Sequence, residues 1–117
     1  MSDAQTTLAA LKEAVRRFVA ERAWEPFHSP KNLAMGLAIE AAELMEHFLW
    51  VDCAASFAVA HDPAHREGIA DEMADVFCHL LNLSNVLEID VSSALISKLN
   101  KNAVKYPADK YQGRFET

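Results

Sequence analysis

Glycine and proline are scarce in this sequence, with three and four among 117 residues, cysteine is limited to two, and no run of 18 apolar residues occurs. So little glycine excludes a collagen-like or low-complexity chain and argues against a loop-rich β fold. Cys53 and Cys78 belong to no Cys-x-x-Cys pair, which argues against a disulfide scaffold or a zinc site. The lack of a long apolar run argues against a membrane span, so no membrane partner is expected. Met1 to Leu11 carries acidic and polar residues where a secretory signal would be basic and then apolar, which makes a cytoplasmic location the expectation. Basic charge is in deficit as well: the net charge of −6 argues against binding a nucleic-acid polymer through a broad basic face.

The deficit is concentrated. Residues 32–97 hold eleven acidic side chains and a single basic one, Arg66, while the two ends together are basic. A solvated surface is the usual reason for a charge run. Here the central acids sit within apolar helical segments, which fits that explanation poorly.

What the chain does have is hydrophobic residues, 51% of the total, spaced mostly at helical intervals. Residues 1–117 are of a size for one domain, and the expected class is all-α. An amphipathic helix is predicted from about Asp3 to Ala23, with Leu8, Leu11, Val15, Phe18 and Val19 on one face. Ser29-Pro30 and Asp62-Pro63 each combine an N-cap with a proline at the first helical position. They predict helices from Pro30 to about Val51 and from Pro63 to about Leu87, with Asp52 to His61 as a short helix or a loop. Asp90 predicts a cap for a fourth helix, Val91 to about Lys105, ended by Pro107. Helices two and three are apolar nearly all round. Four main helices of this size cannot wrap both, so the bundle's core is expected to be completed by oligomerisation.

Those two helices also carry the most telling pattern. The first holds Glu40-x-x-Glu43 and the second Glu72-x-x-Asp75, each pair on one helical face with no lysine or arginine three or four residues away. Helical projection sets Leu33, Leu37 and Leu44 near Glu40, and Val76 and Leu83 near Glu72. Carboxylates partly buried in such surroundings cost several kcal/mol each (about 2 or more) unless they are paired, protonated or metal-bound. Two facing pairs suit a hard divalent cation such as Mg²⁺, which takes oxygen ligands and leaves positions for water and phosphate. A di-iron bundle would want a pair of Glu-x-x-His motifs, which this chain does not have. On spacing alone, a metal site and a set of solvated acids remain about equally good accounts. Glu46 extends the series as a further acid, and His79 projects between Glu72 and Asp75, either to orient a ligand or to fill the core.

Several segments, taken in order, resemble the MazG-like nucleotide pyrophosphohydrolases, and within them the small dCTP pyrophosphatases. They are Trp24-Glu-Pro-Phe-His28-Ser-Pro-Lys31-Asn32-Leu, Glu40-x-x-Glu43 with Phe48-Leu-Trp50, Glu72-x-x-Asp75, and Lys98 through Asn102-Ala-Val-Lys105-Tyr106-Pro107. The resemblance spans residues 8–114. It implies an all-α homotetramer or homodimer that hydrolyses a nucleoside triphosphate to the monophosphate and pyrophosphate with Mg²⁺, clearing the nucleotide pool. By position, Glu40, Glu43, Glu72 and Asp75 would hold the metal. His28, Lys31 and Asn32, with Trp50, would hold the nucleotide, and Lys98, Asn102, Lys105 and Tyr106 would meet its phosphates. Trp50 and Phe27 are the aromatic candidates for stacking on a base. The chain departs from the pattern at His79, where an aromatic residue such as tyrosine is frequent, and in residues 52–61. Other readings are a related enzyme acting on dUTP or phosphoribosyl-ATP, and a non-enzymatic helical interaction module.

Overall fold

A computed structural model describes residues 1–114, so the last three residues of the expected 1–117 domain lie outside it. All regular structure among the described residues is helical: α1 (Leu8–Glu21), a 3₁₀ turn (Glu25–Phe27), α2 (Pro30–Glu46), α3 (Cys53–His61), α4 (Pro63–Leu87), α5 (Val91–Lys105) and α6 (Ala108–Tyr111). This is the expected all-α class, with four long helices and two short ones. None of them is long and apolar enough to cross a membrane.

The helix starts are set by side-chain caps. Thr7, Ser29, Asp52 and Asp90 each accept from the backbone N–H three residues on, and Asp62 accepts from Ala64 at the head of α4. Thr7 starts α1 five residues later than its apolar pattern suggested. Helix α2 stops at Glu46 rather than near Val51. The apolar residues Phe48, Leu49 and Trp50 continue the pattern but lie in turns that lead to the Asp52 cap. The Asp52 to His61 segment resolves as the helix α3.

Helix α1 ends on a pair of crossed bonds, Ala23 N–H to the Ala20 carbonyl and Trp24 N–H to the Val19 carbonyl. That motif needs a left-handed residue at Ala23, whose φ is +52°. It turns the chain so that Trp24 folds back edge-on to Phe18, with ring centroids 5.8 Å apart.

The chain forms two compact units, Met1–Leu87 and the part from Glu88 onward. In the first, α4 packs along α2 and also against α1 and α3. Val19, Leu33, Ile69 and Leu81 make its buried apolar core. Asn85 of α4 donates to the Lys12 carbonyl at 3.0 Å and accepts from Arg16 at 3.2 Å, which ties α1 to α4. Met35 and Ile39 on α2, and Met73, Phe77 and Leu80 on α4, stay exposed at helical spacing. The second unit consists of α5 and α6, joined through Tyr106 and Pro107, with Tyr106 edge-on to Tyr111 at 5.3 Å.

Candidate metal centre

Packing α2 along α4 brings the two acidic pairs together. Ligand oxygens of Glu40, Glu43 and Glu72 all lie within 4.8 Å of one another. One oxygen each of Glu40 and Glu72, Oε2 in both, is buried without a hydrogen-bond partner. Asp75 stands one turn beyond Glu72, outside that tight group, and its charge still acts on both glutamates.

The electrostatics are those of an uncompensated cluster. Burial, first of all, raises the Glu40 carboxyl above the ordinary carboxylate range, and the neighbouring Glu43 and then Asp75 raise it further. Glu72 is raised in the same way, by burial and then by Glu43 and Asp75. The opposing influences are imidazoles, His79 on Glu40 and His47 on Glu72. Among the described residues no lysine or arginine acts on either group. Arg16 and Arg17 of α1 are engaged with Glu13, and Arg22, just past its end, with Glu21.

Three carboxylates with two orphaned buried oxygens fit a hard cation. With metal–oxygen bonds of about 2.1 Å, octahedral ligand oxygens stand roughly 3–4.2 Å apart, a spacing this group can reach. While all three are ionised they can only accept, so they cannot satisfy one another.

Two cavities lie in the same unit. One, of about 540 Å³, has Asp75 and His79 at its border and is otherwise walled by Val15, Phe18, Trp24, His28, Leu33 and Asn82. The other, of about 450 Å³, is bordered by Glu43 and Glu72 and lined by Glu46, His47, Trp50 and His65. Glycines let both imidazoles in. A β-carbon on Gly36 of α2 would lie 2.7 Å from His79 Cδ2, and one on Gly68 of α4 would lie 3.0 Å from His47 Cε1. His79 is further held by Nδ1, which donates to the Asp75 carbonyl at 2.9 Å.

The residues singled out from sequence are thus partly gathered. Glu40, Glu43 and Glu72 cluster, Asp75 and His79 border the first cavity with His28, and Trp50 lines the second while remaining 90% exposed. Asn32 instead spends its amide on the Phe27 carbonyl, at 3.0 Å, bracing the turn before α2. Lys31 and Phe27 are exposed. Lys98, Asn102, Lys105 and Tyr106 lie on the second unit, at α5 and its end. Sequence reasoning gave no separate role to Trp24, Phe18 or Asn82. The lone amide in the apolar run Leu80-Leu81-Asn82-Leu83 was the available signal for the last.

The sequence profile of the MazG-like family matches residues 36–116. The chain is 35% identical over 109 residues to dCTP pyrophosphatase 1 of Rattus norvegicus, covering 93% of this chain and 64% of that protein. It is 34% identical over 104 residues to dCTP pyrophosphatase 1 of Homo sapiens, covering 89% and 61%. It therefore spans somewhat less than two thirds of the length of these curated relatives. A pyrophosphatase from Archaeoglobus fulgidus DSM 4304 superposes with a TM-score of 0.82 at 35% identity, over 92% of this chain and 98% of that one.

Proposed function

The chain belongs to the MazG-like family, and on that footing we propose that it hydrolyses a nucleoside triphosphate, dCTP or a modified deoxynucleotide, to the monophosphate and pyrophosphate with Mg²⁺. The observation that carries the proposal is the pair of orphaned carboxylate oxygens on Glu40 and Glu72 beside Glu43. The named activities of the relatives, dCTP pyrophosphatase and pyrophosphatase, support the substrate class.

In this reading Glu40, Glu43, Glu72 and Asp75 hold the cation. When bound, it would neutralise charge on the phosphates and polarise the phosphoryl group whose phosphorus is attacked. The protein's own groups do the rest. Glu43 or Glu46 accepts the proton of the attacking water as the new P–O bond forms, and the bond to the pyrophosphate leaving group breaks. His28, Lys31, Asn32, Trp50 and His79 serve nucleotide binding. Lys98, Asn102, Lys105 and Tyr106 would meet the phosphates, Lys98 and Lys105 offsetting their negative charge.

The matched profile runs across the boundary between the two units, which supports treating residues 1–117 as one functional domain. The exposed stripes on α2 and α4 support a homotetramer or homodimer. A nucleoside triphosphate substrate is the partner proposed, with a cytoplasmic house-cleaning role.

The test is product analysis. Incubating the purified chain with dCTP, dUTP, the other deoxynucleotides and phosphoribosyl-ATP, with Mg²⁺ and with EDTA, should release pyrophosphate and dCMP from dCTP only when the metal is present. Release of orthophosphate and a diphosphate, or no turnover on any substrate, sinks the proposal.

A further inference from the structure

The cavity beside Asp75 contains a polar pair that the carboxylate cluster does not use. Asn82 is only 8% exposed, and its Nδ2 amide donates to Nδ1 of His28 at 2.9 Å. This bond crosses from α4 to the turn ahead of α2, between residues 54 apart in sequence. The cavity wall includes aromatic and aliphatic side chains, Trp24, Phe18, Val15 and Leu33, together with Asp75, Cys78 and His79. Trp24 meets the His28 ring edge-on at 6.3 Å.

A carboxamide offers two N–H donors and an oxygen with two lone pairs. The bond to His28 uses one donor, so one N–H and Oδ1 are left for a ligand. With the imidazole proton on Nε2, Nδ1 accepts and holds the amide this way round, because a flipped amide would point Oδ1 at its lone pair. Asn82 thus presents one acceptor and one donor in that order, beside flat and apolar walls on one side and Asp75, Cys78 and His79 on the other. That combination suits a planar heterocycle with a polar edge, which stacks on aromatic rings and pairs at two points with an amide.

We propose that Asn82, held in orientation by His28, reads the polar edge of the substrate's nucleobase and sets the base preference. The assignment rests on the hydrolase reading above and adds its specificity-determining residue. For cytosine, Oδ1 accepts from the 4-amino group and the remaining Nδ2–H donates to N3. Uracil presents the opposite order, an accepting O4 and a donating N3–H, and leaves the amide mismatched. His28 acts through Asn82 and is a positioning residue.

The test measures kcat and KM for dCTP and dUTP with the full chain, wild type and Asn82→Ala, His28→Leu and His28→Asn. The dCTP-over-dUTP ratio of kcat/KM should fall about tenfold in Asn82→Ala and His28→Leu, the loss appearing in KM for dCTP, as expected for one lost buried hydrogen bond. His28→Asn should restore the ratio, since its Oδ1 accepts where Nδ1 did. Should Asn82→Ala fail to fold, the half-buried His28 variants still decide the matter. A ratio changed by less than about threefold in folded variants, or equal losses of kcat on both substrates, overturns the assignment while leaving the hydrolase reading intact. A wild type that prefers dUTP overturns the stated donor order. An inactive wild type sinks the hydrolase reading and this assignment with it.

Discussion

The imidazole of His79 occupies the space that a side chain on Gly36 would need: a β-carbon there would stand 2.7 Å from Cδ2 and 2.8 Å from Nε2. The ring cannot simply swing aside without giving up the 2.9 Å bond from Nδ1 to the Asp75 carbonyl. Alanine favours a helix interior over glycine by about 1 kcal/mol, whereas forcing a methyl into a filled contact costs about 1–3 kcal/mol. Gly36→Ala should therefore destabilise the protein by about 1 kcal/mol on balance. In a His79→Ala background the clash is gone, and the same change should stabilise by up to about 1 kcal/mol. Urea unfolding of the four proteins checks the reversal of sign, and equal effects in both backgrounds would refute it.

The raised carboxyls of Glu40 and Glu72 predict how stability without metal varies with pH. A carboxyl raised in the folded protein holds its proton more tightly there than in the unfolded chain, where the ordinary value is 4.5. Its stabilising contribution is complete below the unfolded value and is lost as pH climbs through the raised one. In EDTA, unfolding free energy should fall across that interval, and Glu40→Gln or Glu72→Gln should flatten the decline. A metal-free stability that rises with pH through the same interval, with no difference in the variants, would contradict the cluster's electrostatics.

Removing a ligand separates the metal from the fold. On the proposed metal reading Mg²⁺ binds the folded state, and it should raise the melting temperature of the wild type, with about 2.7 kcal/mol of stabilisation at a hundredfold excess over its dissociation constant. Glu72→Ala should abolish both that rise and the hydrolysis, and the apoprotein should stay folded because the change relieves like-charge repulsion around Glu43. Differential scanning calorimetry with and without Mg²⁺ reads the first effect independently of activity. An undiminished rise in Glu72→Ala would remove that residue from the ligand set.

How much of this was legible in the sequence depended on whether a feature is local. Ser29-Pro30 and Asp62-Pro63 marked helix starts because an N-cap and a proline act within one turn. The acid pairs were legible because a spacing of three fixes a shared face. The end of α2 was not, since Phe48, Leu49 and Trp50 prolong the apolar pattern while the backbone already turns. The contacts of Gly36 with His79 and of Asn82 with His28 depend on the register between α4 and the chain around α2, which no local signal encodes.

Ala23 carries a left-handed backbone, φ +52°, at the end of α1, where glycine is the common choice. An L side chain in that region costs about 1–2 kcal/mol, and glycine gives back part of the gain through its greater freedom when unfolded. Ala23→Gly should stabilise by roughly 0.5–1 kcal/mol and raise the melting temperature by a few degrees (about 2–5 °C). Since the crossed bonds to Ala20 and Val19 are kept, Trp24 should hold its place beside Phe18, and its fluorescence maximum should not move. A drop in melting temperature would mean that the turn needs the alanine methyl.

The exposed stripes on the two central helices predict the assembly. Phe77 of α4 is 41% exposed and Ile39 of α2 is 58% exposed, and each continues an apolar row with Met73 or Met35 four residues earlier. An 87-residue unit with so few buried apolar side chains gains most by covering these rows with a second copy, at about 25 cal/mol per Å² of apolar surface removed from water. A charge at the middle of such a row has to be desolvated without a partner, at a cost of about 2 kcal/mol or more per copy. Sedimentation velocity should therefore find the wild type at two or four times the 13.0 kDa chain mass and Phe77→Glu shifted toward the single chain. A wild type that sediments as one chain at micromolar concentration would remove the oligomeric proposal and leave the apolar rows to another partner.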